Sequence, residues 1–109
     1  MQTHQEVWMV QTTFAHQQVA KEIVWQLVSA QLAACATVLS QATSIYLWEG
    51  KCCEETECVV VFKTTKELVD ELEAQIKKLH PYQTPMVLSW PIKRSLEDYS
   101  RYVYEVCKK

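Results

Sequence analysis

His80 stands between a helix-forming run and Pro81-Tyr82, and an imidazole placed there has two roles open to it. It can ligate a metal or move a proton, because its ordinary pKa lies near neutrality. It can equally hold a helix-to-strand corner by hydrogen bonding to backbone. A metal site needs partners, and the adjacent Leu79 is not one. Cys35, Cys52, Cys53, Cys58 and Cys107 are soft-metal ligands by type. Cys52-Cys53, followed by Glu54-Glu55, is the densest cluster. Vicinal thiols do not easily wrap one ion, and the plainer reading is an exposed, oxidisable pair. Cys35 and Cys107 are expected as small buried hydrophobes. Glu49 and Lys63 are charges in stretches that read as strands. Near a cleft between subunits they could bind an anion or a metal; the commoner role is a structural ion pair at a subunit junction. Trp48 and Tyr82 belong to the same neighbourhood, where aromatic residues most simply form interface core.

The elements that must position these residues are read from periodicity. Glu6–Thr13 is a first strand, apolar at its centre. A helix follows over roughly Ala15 to Gln31, with Val19, Ile23, Leu27 and Ala30 on one face and Thr13 as its best N-cap. Small residues from Ala33 to Ala36 predict tight helix-to-strand packing before a second strand, which Ser40-Gln41-Ala42 bends or bulges. Tyr46 to Thr64 reads as a hairpin turning at Gly50, the chain's sole glycine, where a positive φ is cheapest. Its arms of about ten residues make a ribbon of roughly 30 Å, against a radius of gyration of about 13 Å for a domain of this size. The ribbon should overhang its own core, and one carrying Tyr46, Leu47 and Trp48 calls for another chain to cover it.

Beyond the hairpin, Thr64 with Glu67 fits a capping box, and Leu68, Leu72, Ile76 and Leu79 mark a second helix ended by Pro81. Thr84–Ile92, bracketed by prolines, is an edge strand. Ser95 with Asp98 opens a last helix striped by Leu96, Tyr99, Tyr102, Val103, Val106 and Cys107. The order β-α-β-β-α-β plus a C-terminal helix fits an α+β, ferredoxin-like sandwich with a long central hairpin. Its first and third strands are then central, which suits the apolar run Val59-Val60-Val61-Phe62.

The 109 residues suffice for one domain, 1–109, with one core. With 49% hydrophobic and 22% charged residues the composition is globular. A net charge of -2 supplies no general attraction to nucleic acid or to an anionic membrane. No stretch approaches the roughly 20 apolar residues of a membrane span, and Met1–Glu6 has neither the basic nor the apolar region of a secretion signal. An odd count of five cysteines, without Cys-x-x-Cys, is no disulfide framework. A cytoplasmic location is expected.

In order and spacing, Leu32-Ala33-Ala34-Cys35-Ala36-Thr37, Tyr46-Leu47-Trp48-Glu49-Gly50-Lys51, Lys63-Thr64 and His80-Pro81-Tyr82-Gln83-Thr84-Pro85 resemble the CutA divalent-cation tolerance proteins. The resemblance covers nearly the whole chain. It implies a ferredoxin-like fold, a homotrimer clamped by the long hairpin, and a role associated with copper or another divalent metal, with weak binding and no catalysis. His80 is the metal candidate; Trp48, Glu49, Lys63 and Tyr82 are the cleft or interface candidates. No other cofactor is expected, and neither nucleic acid nor membrane is expected as a partner. Met86 stands where the family usually has Glu, Lys93-Arg94-Ser95-Leu96 where it usually has a glycine-containing turn, and Gln11 and Leu79 where some members place copper-binding Cys and His.

The residues bear on two rival functions. The same fold and trimer architecture resemble PII signalling proteins, which implies a small-molecule site in the intersubunit clefts. One glycine leaves no Gly-rich phosphate loop for a nucleotide. An acylphosphatase-like hydrolase wants an anion cradle and an arginine after the first strand. Gln11-Thr12-Thr13-Phe14-Ala15 holds none, and Arg94 and Arg101 come late in the chain.

Overall fold

The computed structural model describes residues 5–109. Most of the expectation about Met1–Glu6 falls on residues 1–4, outside the described residues. Four strands, β1 (Val7–Phe14), β2 (Cys35–Trp48), β3 (Lys51–Thr65) and β4 (Val87–Pro91), and three helices, α1 (Gln17–Ser29), α2 (Val69–Leu79) and α3 (Glu97–Val106), follow one another as β1-α1-β2-β3-α2-β4-α3. The sheet order is β2-β3-β1-β4 with every neighbouring pair antiparallel. The first and third strands are central, as the ferredoxin-like reading requires, and β4 is an edge.

Alternation sets the two faces of the sheet. Val10, Phe14, Val60 and Phe62 are fully buried on one face. They meet Ala20, Ile23 and Leu27 of α1, Leu72 and Ile76 of α2, and Val103 of α3 in one core. Truncating Leu72 to alanine in such packing costs about 2–5 kcal/mol. Ala33 and Ala34 are buried between helix and strand, as their size implies. Among the described residues no helix is long and apolar enough to cross a membrane.

The chain closes α1 with a Schellman motif built on Gln31, not on glycine. Gln31 takes φ 63, its amide bonds Val28 O, and the Leu32 amide bonds Leu27 O. The N-terminal boundaries of the helices differ from those expected. His16, Thr65 and Leu96 occupy the cap positions of α1, of the 3₁₀ turn Lys66–Leu68 that leads into α2, and of α3, and none makes a side-chain cap bond. Thr13 lies within β1 instead. Thr64 is buried and donates to Leu32 O over 2.7 Å, so its hydroxyl is committed to a tertiary bond before it can cap.

The hairpin is longer than the sequence indicated, with arms of 14 and 15 residues. Glu49 (φ 50) and Gly50 (φ 81) form its two-residue turn, with Trp48 opposite Lys51. Both central residues at positive φ define the type I′ geometry that matches strand twist. The expected bulge falls between Leu39 and Ala42, with Gln41 at φ 60. β1 pairs with β3 only from Cys58 onward, so Lys51–Glu57 and the facing Ala42–Trp48 project as a bare two-stranded ribbon. The molecule measures 53 × 25 × 22 Å with a radius of gyration of 15.0 Å, above the ~13 Å of a compact domain of this length.

Candidate functional site

The residues singled out in the sequence gather at three places: the corner after α2, the ribbon, and the base of β3. At the corner, Pro81 stops α2, and His80 leaves the helix at φ -70, ψ 134. Its imidazole is only 7% exposed and stacks on Phe14 with centroids 4.3 Å apart. Nδ1 accepts from the Tyr82 amide at 3.1 Å, which puts the proton on Nε2, 2.7 Å from Thr13 O. Burial pushes the His80 pKa down; the Thr13 carbonyl and Glu57 oppose it. A neutral ring with both nitrogens engaged is what a corner-holding histidine requires. A metal would have to displace one of those two bonds.

Tyr82 follows on the same corner, its ring 4.7 Å from that of His80. Its phenol donates to Glu57 Oε2 at 3.0 Å, and burial first, then that bond, raise its pKa to about 12. On the ribbon Tyr46 donates to Glu55, and that bond is the main reason its pKa is also raised to about 12. Glu55 and Glu57 share one face of β3 by alternation. The sequence marks Tyr46 as ribbon surface and Glu55 as a neighbour of the Cys52-Cys53 pair, but it marks neither as the other's partner, and Glu57 carries no mark of its own. The signal available was the period-two spacing Cys53-x-Glu55-x-Glu57 opposite an aromatic strand.

Glu49 is not in a strand arm; it occupies the turn, beside Trp48, which is 55% exposed. Lys63 lies near the other end of β3, about 40 Å away along the strand at ~3.3 Å per residue. The two cannot pair within one chain. Lys63 Nζ donates instead to Thr37 Oγ1 at 2.8 Å.

The thiols do not form a cluster. Consecutive strand positions face opposite ways, so Cys52 and Cys53 diverge. Cys107 is buried as expected and its pKa is pushed up by burial. Cys58 is buried and pushed up likewise. Cys35 departs from expectation: it is half-buried, with Sγ 3.5 Å from the Tyr99 hydroxyl. Among the described residues no group of three or more His, Cys, Asp or Glu side chains converges as a metal would need.

A four-stranded antiparallel sheet with helices packed on its buried face, and a ribbon projecting beyond its own domain, define a ferredoxin-like protein with an extended hairpin. The family is settled by comparison: residues 8–106 match the model of the CutA1 divalent ion tolerance protein, and the chain belongs to that family. A divalent-cation tolerance protein CutA of Pyrococcus horikoshii is 37% identical over 93% of this chain and 98% of its own length. Protein CutA of mouse is 36% identical over 86% of this chain but only 53% of its own, so the chain spans about half the length of that relative. The solved structure of CutA from Archaeoglobus fulgidus, described as a periplasmic divalent cation tolerance protein, superposes with a TM-score of 0.88 at 29% identity, covering 92% of this chain and 97% of that one.

Proposed function

We propose that this chain acts in divalent-cation tolerance as a cytoplasmic homotrimer that binds copper or another divalent ion weakly and catalyses nothing. The observation that carries the assembly is the bare ribbon. Ile45 and Leu47 are 66% and 74% exposed on one of its faces and Trp48 is 55% exposed on the other, with no strand or helix of the same chain alongside. Two-stranded ribbons with apolar surface are marginal in water unless a second chain covers them. Weak metal binding follows from His80: an ion must compete with the Tyr82 amide and the Thr13 carbonyl for its nitrogens. The family's name, which speaks of tolerance, supports the metal role without a reaction.

Sedimentation velocity on the purified protein, joined to copper and zinc titration by calorimetry, tests both halves. The expected results are a single trimeric species and weak binding that falls further in His80→Ala. A stable folded monomer overturns the assembly. Tight stoichiometric binding unaffected by His80→Ala overturns the metal assignment.

A further inference from the structure

The approach to α2 and the end of α3 enclose a cleft of about 350 Å³, lined by Thr65, Glu67, Leu68, Tyr104, Lys108 and Lys109. That volume is at the low end of the roughly 300–1,000 Å³ of small-molecule sites. The walls are mostly apolar. They are built from buried Leu68, the half-buried Tyr104 ring and the methylene stems of the two lysines. The cleft stands a helix away from His80, because α2 runs from Val69 to Leu79 between them, about 16 Å at ~1.5 Å per residue.

The polar groups of the cleft divide into spent and unspent. Lys109 Nζ donates to the carbonyls of Tyr104, Cys107 and Glu105 at 2.6, 3.2 and 3.4 Å, and so uses its three hydrogens to close the end of α3. The Tyr104 hydroxyl has its nearest acceptor in Glu6 O at 2.8 Å, takes the Lys66 amide at 3.4 Å, and lies 3.2 Å from Glu67 Oε1. Thr65 is different: it is only 4% exposed, and its hydroxyl makes no bond to the turn it caps and opens on the cleft instead. Buried hydroxyls rarely go without a partner. Glu67 is in no ion pair with a described residue. Lys108 Nζ gives one hydrogen to Glu71 at 2.9 Å and keeps two. Glu71 follows Glu67 by four residues. A carboxylate without a counter-ion and an ammonium with hydrogens to give therefore stand about one helical turn apart on the same rim.

An anion in the cleft would meet Glu67, and a cation would meet Lys108 and Lys109. A molecule that carries both charges on one carbon, with an apolar remainder, meets neither objection. We propose that the cleft binds a free α-amino acid with an apolar side chain, its ammonium on Glu67 and the Thr65 hydroxyl, its carboxylate on Lys108, and its side chain against Leu68 and the Tyr104 ring. Glu67 and Lys108 are exposed, and ion pairs in water are weak, so the expected dissociation constant is about millimolar. The site needs no metal and goes beyond the tolerance reading.

Heteronuclear NMR titration of the full chain with leucine and with phenylalanine, at neutral pH and constant ionic strength, tests it. Both should give saturable shifts confined to the amides of Thr65 to Leu68, Tyr104 and Lys108. Glycine, which has no side chain to bury, should bind more weakly. N-acetylleucine lacks the ammonium and leucinamide lacks the carboxylate, and each should bind about two- to fivefold more weakly than leucine. Glu67→Gln and Lys108→Gln, at exposed positions that the core does not depend on, should each weaken leucine by a similar about two- to fivefold. Thr65→Val should also weaken it, while Lys78→Gln, on an exposed part of α2, leaves it unchanged. No saturable shift in the native protein overturns the proposal. So does N-acetylleucine or leucinamide binding as tightly as leucine, or an unchanged leucine affinity in Glu67→Gln or in Lys108→Gln. Copper and zinc titrations read a different part of the molecule, so failure of the metal reading leaves these outcomes distinct.

Discussion

Tyr82 donates its phenolic hydrogen to Glu57 Oε2 across 3.0 Å. The contact ties the segment after α2 to the point on β3 where the sheet gives way to the bare ribbon. It also sits next to the His80 ring, so the corner and the root of the ribbon are held as one unit.

Removing either partner should loosen that unit. Tyr82→Phe is expected to lower unfolding stability by about 1 kcal/mol, the usual loss for a partly exposed bond to a charged acceptor. In the native protein the Tyr82 phenol titrates at about 12, above its ordinary 10.0. A raised folded value contributes stability below pH 10 that is lost as pH rises through the folded value. Glu57→Gln should bring the phenol back toward 10, read by ultraviolet titration of the phenolate. An unchanged titration curve in Glu57→Gln would show that burial alone holds the value up.

His80 predicts a slope at the acid side. Its folded pKa lies below the ordinary 6.5, chiefly because burial penalises the imidazolium. As pH falls the unfolded chain takes the proton first. The stability is whole above pH 6.5 and is lost as pH falls through the depressed folded value. Urea midpoints measured from about pH 8 to about pH 5 should decline in the native protein. They should be flatter in His80→Gln, which carries no titrating ring. Parallel curves for the two proteins would remove His80 from the account.

How far these features were legible differs by residue. Gly50, Pro81 and the Ser40-Gln41-Ala42 interruption act through their own backbone preferences, and each marked the right place. The run Cys58–Phe62 marked an interior strand because both its neighbours are strands. Helix caps were not legible, since the Thr64 hydroxyl is spent on Leu32 O, a residue 32 positions away. The ribbon arms were read short because Glu54, Glu55 and Glu57 break the apolar pattern where no core lies beneath them. The Tyr46–Glu55 and Tyr82–Glu57 pairs arise from register and from the path of a loop, and neither is encoded in local spacing. Placing Glu49 in a strand missed that a two-residue turn takes the residue before the glycine as well.

That turn gives a third prediction. Asparagine tolerates positive φ better than glutamate does, and Asn-Gly is the preferred type I′ pair. Glu49→Asn should stabilise the ribbon by a few tenths to about 1 kcal/mol. Gly50→Ala should destabilise it by about 1 kcal/mol, through backbone strain alone, because a Cβ at Gly50 meets nothing within 4 Å. Amide exchange of Trp48 and Lys51 in the two variants would report the change locally. Equal exchange in both would mean that the turn does not limit ribbon order.

Thr12 carries the last expectation. It lies on the core face of β1 between Val10 and Phe14, fully buried, and its Oγ1 is the one buried side-chain polar atom among the described residues without a hydrogen-bond partner. An unpaired buried hydroxyl costs about 1–3 kcal/mol, and replacing it with a methyl group of the same shape removes the penalty without opening a cavity. Valine also suits a central strand. Thr12→Val should therefore raise unfolding stability by about 1 kcal/mol, measured as a higher denaturant midpoint at an unchanged slope. A lower midpoint would mean that the hydroxyl holds an internal water that the core depends on, and high-resolution diffraction of the native protein would then show density for it beside β1.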